Sequence, residues 1–140
     1  MEHPIILLGG KEDVVNGNEI ASVDPVKVYN ACGKFKLNES ADLVRKSKLV
    51  ISNDTGLMHI AAAFKKPIIS LWGNTVPSFG MYPYYGNRFT DVQLFDILQT
   101  NKLWCRPCSK IGYDKCPLGH FKCMEKISPA EVQQNVIKRL

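Results

Sequence analysis

The stretch from Leu49 to Thr75, LVISNDTGLMHIAAAFKKPIISLWGNT, constrains the fold more than any other. A short apolar run, Leu49-Val50-Ile51, ends in Ser52-Asn53-Asp54-Thr55-Gly56. Leu57, Ile60, Ala61 and Phe64 then recur at helical spacing. Lys65-Lys66-Pro67 lead into a second apolar run, Ile68 to Trp72. The order strand, tight turn, short helix, strand is a βαβ pattern, and such patterns build parallel sheets. Asn53, Asp54 and Thr55 are the residue types that cap free backbone N–H groups at a helix start. Gly56 allows another group to come close to the backbone. A helix N-terminus at the carboxyl end of a parallel strand is where open α/β sheets hold anions, usually phosphates.

The rest of the chain fits that frame. Pro4 to Leu8 reads as a buried strand ending in Gly9-Gly10. Val14 to Val23 has weak helical character, interrupted at Asn16-Gly17-Asn18, and Pro25 to Ala31 alternates like a strand. Leu37-Asn38-Glu39-Ser40 opens a helix with Asn38 as the expected cap and Ala41, Leu43 and Val44 on its inner face. Residues 74–87 form a loop rich in Pro, Gly and Tyr, and Arg88 to Phe95 is the expected last strand. Asp96 to Gly119 reads as irregular. Ser128-Pro129-Ala130-Glu131 has the form of a helix start, with Ser at the cap, Pro first and Glu third. Val132, Val136, Ile137 and Leu140 give that closing helix an apolar stripe. The expected class is α/β: a Rossmann-like doubly wound parallel sheet with an irregular cysteine-containing segment and a C-terminal helix.

With 140 residues, the expectation is a single domain, residues 1–140. No run approaches the ~18 apolar residues of a membrane span. The apolar patch after Glu2 and His3 lacks a cleavage signal and does not read as a secretory leader, so a cytoplasmic protein is expected. Residues 1–100 hold 10 basic and 10 acidic residues, whereas residues 101–140 hold 8 and 3, so the whole net charge of +5 falls in the tail. Such a face suits an anionic membrane surface or a phosphorylated glycolipid as well as an ordinary solvated lysine surface. No nucleic-acid-binding motif is present, and no nucleic-acid partner is expected.

Asp54-Thr55-Gly56-Leu57-x-His59-x-Ala61-Ala62-Ala63, followed by Lys66-Pro67 and Gly73-Asn74-Thr75-x-Pro77, resembles the donor-site signature of the heptosyltransferases, glycosyltransferase family 9. About a dozen positions agree in order and spacing. The resemblance implies one half of a GT-B fold, two Rossmann-like domains facing across a cleft. This chain would be most of the C-terminal, donor-binding domain, either a piece of a larger enzyme whose N-terminal domain supplies most of the acceptor site and the catalytic base, or a natural single-domain relative. Implied partners are a nucleotide-sugar donor of the ADP-heptose kind, a lipopolysaccharide or lipid A core acceptor and the missing N-terminal domain, with peripheral contact at the inner membrane. No cofactor and no catalytic metal are implied, and the isolated domain is expected to be inactive. Two other readings stay open: a different GT-B enzyme such as a nucleotide-sugar epimerase, and a non-catalytic nucleotide-binding domain with a zinc-stapled tail.

By the same resemblance the turn holds the donor diphosphate. Backbone N–H groups of Thr55, Gly56 and Leu57 would face the phosphates, with the Thr55 hydroxyl assisting. Asp54 is a helix cap or a contact to the donor sugar, since a carboxylate repels phosphate. His59 is the catalytic candidate: a protonated imidazole would stabilise the departing diphosphate. On an apolar helix its plainer reading is a packed core histidine. Gly33 and Phe35 match the loop beside the nucleobase, with Lys34 or Lys36 near phosphate, and Glu12, next to Asp13, is placed towards the nucleoside ribose. Thr75 and Ser78 follow the fourth strand and would line the same crevice, while Trp72 reads as core. Cys32 reads as a small buried hydrophobe. Cys105, Cys108, Cys116 and Cys123, with His120 nearby, leave three possibilities open: a zinc site, disulfides or free packed thiols.

Overall fold

A computed structural model describes residues 3–87 and 94–140. Among the described residues, strands and α-helices alternate as far as β4, after which a strand and two helices follow: β1 (Ile5–Leu7), α1 (Val14–Ala21), β2 (Val28–Asn30), α2 (Leu37–Lys46), β3 (Val50–Asn53), α3 (Gly56–Ala63), β4 (Ile68–Trp72), β5 (Phe95–Gln99), α4 (Lys122–Glu125) and α5 (Pro129–Arg139). The α/β class is as expected. The strands form a parallel pair, β1-β2, and a parallel three-stranded sheet in the order β3-β4-β5. The chain divides into two compact units, Met1–Leu43 and Val44–Leu140.

In the first unit β1 and β2 pair in the register Ile5↔Val28 to Leu7↔Asn30. Helix α1 is continuous through Asn16-Gly17-Asn18, contrary to the sequence expectation. The reason is tertiary. Gly17 is buried against Asn30, whose side-chain amide donates to Val14 O at 3.0 Å and to Asn18 Oδ1 at 2.8 Å. Asn30 Oδ1 also accepts the Cys32 amide at 3.0 Å. One buried side chain thus ties the end of β2 to a helix whose glycine makes room for it. Strand β2 is shorter than its alternating pattern, because Asp24 turns the chain by accepting the Lys27 and Val28 amides at its carbonyl. Cys32 is buried, as expected. Helix α2 begins at Leu37, ahead of the expected cap Asn38; Glu39 reaches back to the Lys36 amide at 2.7 Å and takes that role.

In the second unit β4 is the central strand, and its burial explains its unbroken apolar sequence. Ile68, Ile69, Ser70 and Trp72 are buried, as are Met58, Ala61 and Ala62 of α3. Trp72 is core, as expected. Burying each large apolar side chain contributes about 1.5–3 kcal/mol. The polar Ser70 is tolerated there because it is fully satisfied: its hydroxyl donates to Asp96 O at 3.1 Å and accepts Trp72 Nε1–H at 3.0 Å. Registers run from Val50↔Ile68 to Asn53↔Leu71 and from Ile68↔Phe95 to Trp72↔Gln99. The last strand therefore starts at Phe95, where the expected strand ends; Arg88 to Gln93 of that expectation lie outside the described residues. Asp96 to Gln99, read as irregular, belong to β5 because they complete the ladder with β4.

Helix α5 starts after Ser128 with Pro129 first, as the sequence indicates, but the Ser128 side chain makes no capping bond. Its apolar stripe is narrower than expected. Val132 and Val136 are half-buried, while Ile137 and Leu140 are exposed. The helix is held instead by Arg139, which reaches Asp96 of β5 at 2.7 Å.

Candidate functional site

The carboxyl ends of β3 and β4 meet at the Asp54 turn. Thr55 is the N-cap of α3 in an extended conformation, and no side chain caps the helix. The expected capping by Asn53, Asp54 or Thr55 does not occur, and the Asp54 and Thr55 side chains are engaged elsewhere. Ser52 Oγ donates to Asn53 O at 2.9 Å and lies 3.0 Å from Thr55 Oγ1, so its single hydrogen is spent and Thr55 is the donor between them. Asp54 Oδ2 accepts the hydroxyl of buried Thr75 at 3.1 Å, which draws the carboxylate towards β4. The Met58 amide bonds to Thr55 O at 3.1 Å. Among the described residues, the amides of Gly56 and Leu57 have no acceptor. A methyl added at Gly56 would meet nothing within 4 Å. The first turn of α3 thus carries two N–H groups without an acceptor among the described residues, at the positive end of the helix and beside the uncrowded Cα of exposed Gly56.

His59 lies one turn into α3. It is exposed and bonds to no described residue, so it is not a packed core histidine. Leu57 is half-buried, and Thr55 and Gly56 are exposed.

Beyond β4 the site is braced by a residue that the sequence did not single out. Arg106 donates from Nε to Gly73 O, from Nη1 to Thr100 O at 2.8 Å, and from Nη2 to Thr75 O at 2.8 Å and Gln99 Oε1 at 2.9 Å. Its guanidinium clamps the ends of β4 and β5 together, and burial lowers its pKa. Asn74 carries the same bracing outward: its side chain donates to Tyr113 O at 2.7 Å and its carbonyl accepts the Cys108 amide at 2.9 Å. Gly73 has no side chain because Met124 Sδ would lie 2.8 Å from its Cβ. Ser78, expected at the crevice, lines an open cavity of about 350 Å³ with Val76, Gln99, Asn101, Lys102 and Arg106. Nothing in the local sequence around Arg106 marks this role, since all four acceptors are distant or non-periodic.

In the first unit, Gly33 adopts φ +69° and donates its amide to Gly9 O at 3.0 Å, which brings the loops after β1 and β2 together. A side chain at Gly33 would press on the Lys11 backbone at 3.2 Å. Asp13 is committed to this turn, accepting the Gly10 amide at 2.8 Å. Glu12 is exposed, with its carboxylate folded over Gly10 where a side chain would collide with it. Lys34 is occupied by Tyr29: Nζ sits 4.3 Å from the ring centroid and 3.2 Å from the hydroxyl. Phe35 is 40% exposed, so its ring has a free face.

The four tail cysteines are free thiols. Among the described residues, no three His, Cys, Asp or Glu side chains are grouped closely enough to hold a metal ion. His120 Nδ1 accepts the Lys122 amide at 3.1 Å, so in the neutral ring the proton sits on Nε2, 3.8 Å from Cys105 Sγ. Backbone N–H groups, led by that of Phe121, lower the pKa of Cys116, whereas burial raises those of Cys108 and Cys32.

Residues 1–111 match the profile of glycosyltransferase family 9 (heptosyltransferase). The chain belongs to that family. Among its relatives, lipooligosaccharide heptosyltransferase 2 of Haemophilus influenzae is 36% identical over 98 residues, covering 67% of this chain and 28% of the relative. Lipooligosaccharide heptosyltransferase 2 of Campylobacter jejuni is 29% identical over 140 residues, covering 97% of this chain and 41% of the relative. The crystal structure of a glycosyl transferase family 9 protein from Veillonella parvula superposes with a TM-score of 0.75 at 25% identity, covering 96% of this chain and 36% of that one. The E. coli ADP-heptose lps heptosyltransferase II matches at a TM-score of 0.58 and 22% identity, a likeness of fold. The family is one of GT-B glycosyltransferases. The chain spans well under half the length of these relatives.

Proposed function

We propose that this family 9 chain is the donor-binding part of a two-domain heptosyltransferase, holding the diphosphate of an ADP-sugar on the first turn of α3. The observation that carries the proposal is the pair of amides at Gly56 and Leu57, left without acceptors while Asp54 is drawn aside by Thr75. Two amides and a helix end are a ready cradle for a diphosphate. With the Thr55 hydroxyl spent on Ser52, the amides are the principal donors. Asp54, whose carboxylate Thr75 holds, is the proposed contact for a hydroxyl of the donor sugar. His59, exposed on the same helix, supplies a proton or a positive charge to the departing diphosphate. Within the first unit taken by itself, Gly33 ties together the loops that carry Glu12 and Phe35, and these two are separate candidates for contact with a nucleoside.

In this proposal the chemistry is glycosyl transfer. The sugar's anomeric carbon passes to an acceptor hydroxyl on the lipopolysaccharide core, and ADP leaves carrying the electron pair of the broken C–O bond. A base from the N-terminal domain takes the acceptor proton. This chain positions the donor and stabilises charge on the leaving group, which are the larger sources of rate in such reactions. Alone it binds donor without transferring it, and the enzyme works at the cytoplasmic face of the inner membrane.

Calorimetric titration tests the reading. ADP should bind about 100-fold more tightly than adenosine, on the order of 3 kcal/mol for the charge-assisted bonds to phosphate. Equal affinity for the two would remove the diphosphate from α3. In the full two-domain enzyme, His59→Ala should lower kcat at least about tenfold, a floor set below the roughly 100-fold at which single acid–base contributions begin.

A further inference from the structure

The cysteine segment presents an apolar face that the donor reading does not use. Trp104 is 84% exposed, Ile111 85%, Tyr113 52% and Leu118 49%. Trp104, Tyr113 and Leu118 line one open cavity of about 380 Å³ together with Pro107 and Pro117, so they form one surface. Residues 101–121 contain neither helix nor strand, yet the segment is fixed. Arg106, the Asn74–Tyr113 bond and the Cys108 amide pin it to the loop after β4. The large apolar side chains therefore stand out from a held backbone.

Charge tells what covers them. Lys102, Lys110, Lys115 and Lys122 are exposed and interleave with the apolar residues, against a single acidic residue, Asp114, in the same segment. The first 100 residues are charge-balanced, so the excess is confined to this part of the chain. We infer that the Trp104–Tyr113–Leu118 face docks on the surface of an anionic lipid bilayer. Aromatic rings and aliphatic side chains enter the headgroup boundary while lysines pair with lipid phosphates. A second copy of the chain is disfavoured as the occupant, since it would set one lysine cluster against another. The docking would bring a lipid-linked acceptor near the donor site, but the inference rests on exposure and charge and stands without the donor reading.

Vesicle titration of the 140-residue chain tests it. Trp104 serves as the reporter, because Trp72 is fully buried and silent to the bilayer. Phosphatidylcholine vesicles containing phosphatidylglycerol should blue-shift the emission and cosediment with the chain, and pure phosphatidylcholine should do neither. Added salt should release the chain. Lys110→Gln and Lys115→Gln should each weaken binding about fivefold, the equivalent of ~1 kcal/mol per basic side chain at an anionic leaflet. Trp104→Ala should weaken sedimentation and leave ADP affinity unchanged, which separates this proposal from the donor site. Absence of a shift at low salt, equal binding to neutral vesicles, or a concentration-dependent dimer abolished by Trp104→Ala would each overturn it.

Discussion

Gly56→Ala separates stability from binding at the α3 turn. Gly56 is the first residue of α3, and its added methyl would find nothing within 4 Å, so the fold loses no contact. Replacing glycine at a compatible helical position stabilises by about 0.4–1 kcal/mol, chiefly by restricting the unfolded chain. The melting temperature should rise by about 1–4 °C. In the proposed site the same methyl stands beside the two free amides, where it would crowd a bound diphosphate. Holding the diphosphate away costs about one charge-assisted hydrogen bond, 1.5–3 kcal/mol, or roughly 10- to 150-fold in Kd. Differential scanning fluorimetry and ADP calorimetry on the same preparation give both numbers. A variant that melts higher yet binds ADP as tightly as the parent would refute the reasoning, because the cradle would then lie elsewhere.

Gly17→Ala should do the opposite of what helix propensity suggests. The new Cβ would lie 2.5 Å from Asn30 Oδ1, forcing Asn30 from its bonds to Val14, Asn18 and Cys32. A net loss of about 2 kcal/mol in urea unfolding is expected, and a gain would show that Asn30 moves freely. Arg106→Met keeps the side-chain length but abandons four acceptors, so destabilisation of about 3 kcal/mol is expected by the same assay; a loss below about 0.5 kcal/mol, the range of an ordinary surface change, would contradict the clamp. Iodoacetamide near neutral pH should label Cys116 before Cys108 and Cys32. Backbone amides favour the Cys116 thiolate, so it persists to lower pH, whereas burial holds the other two as thiols. Peptide mass spectrometry at short times reads the order, and early labelling of Cys32 would contradict it.

Much of the second unit was legible in the sequence, and the reason is burial. Strand β4 lies between two partners and carries Ile68, Ile69 and Trp72 inside, so it reads as a continuous apolar run with sharp ends. Helix α3 was legible from the spacing of Leu57, Ile60 and Ala61, but its buried side chains are Met58, Ala61 and Ala62, and Phe64, read as part of the stripe, is exposed at the C-cap. The family motif located the turn, but side-chain roles within it depend on partners far along the chain. Asp54 looks like a cap until Thr75, 21 residues later, takes its carboxylate. Gly17 looks like a helix breaker because its purpose, room for Asn30, is invisible locally. Arg106 gave no signal at all: its acceptors are three backbone carbonyls and one glutamine. Backbone acceptors have no sequence signature. The end of β5 was misplaced for a related reason, since Asp96 and Gln99 are polar residues held in a ladder by β4 and by their bonds to Arg139 and Arg106.

The central claim is that a diphosphate sits on the first turn of α3, and the amide resonances of Gly56 and Leu57 report on it most directly. Adding ADP to ¹⁵N-labelled protein should move both amide protons downfield as they acquire acceptors, with inorganic diphosphate moving the same pair and adenosine leaving them in place. Shifts confined to other regions, with Gly56 and Leu57 unmoved at saturating ADP, would contradict the account.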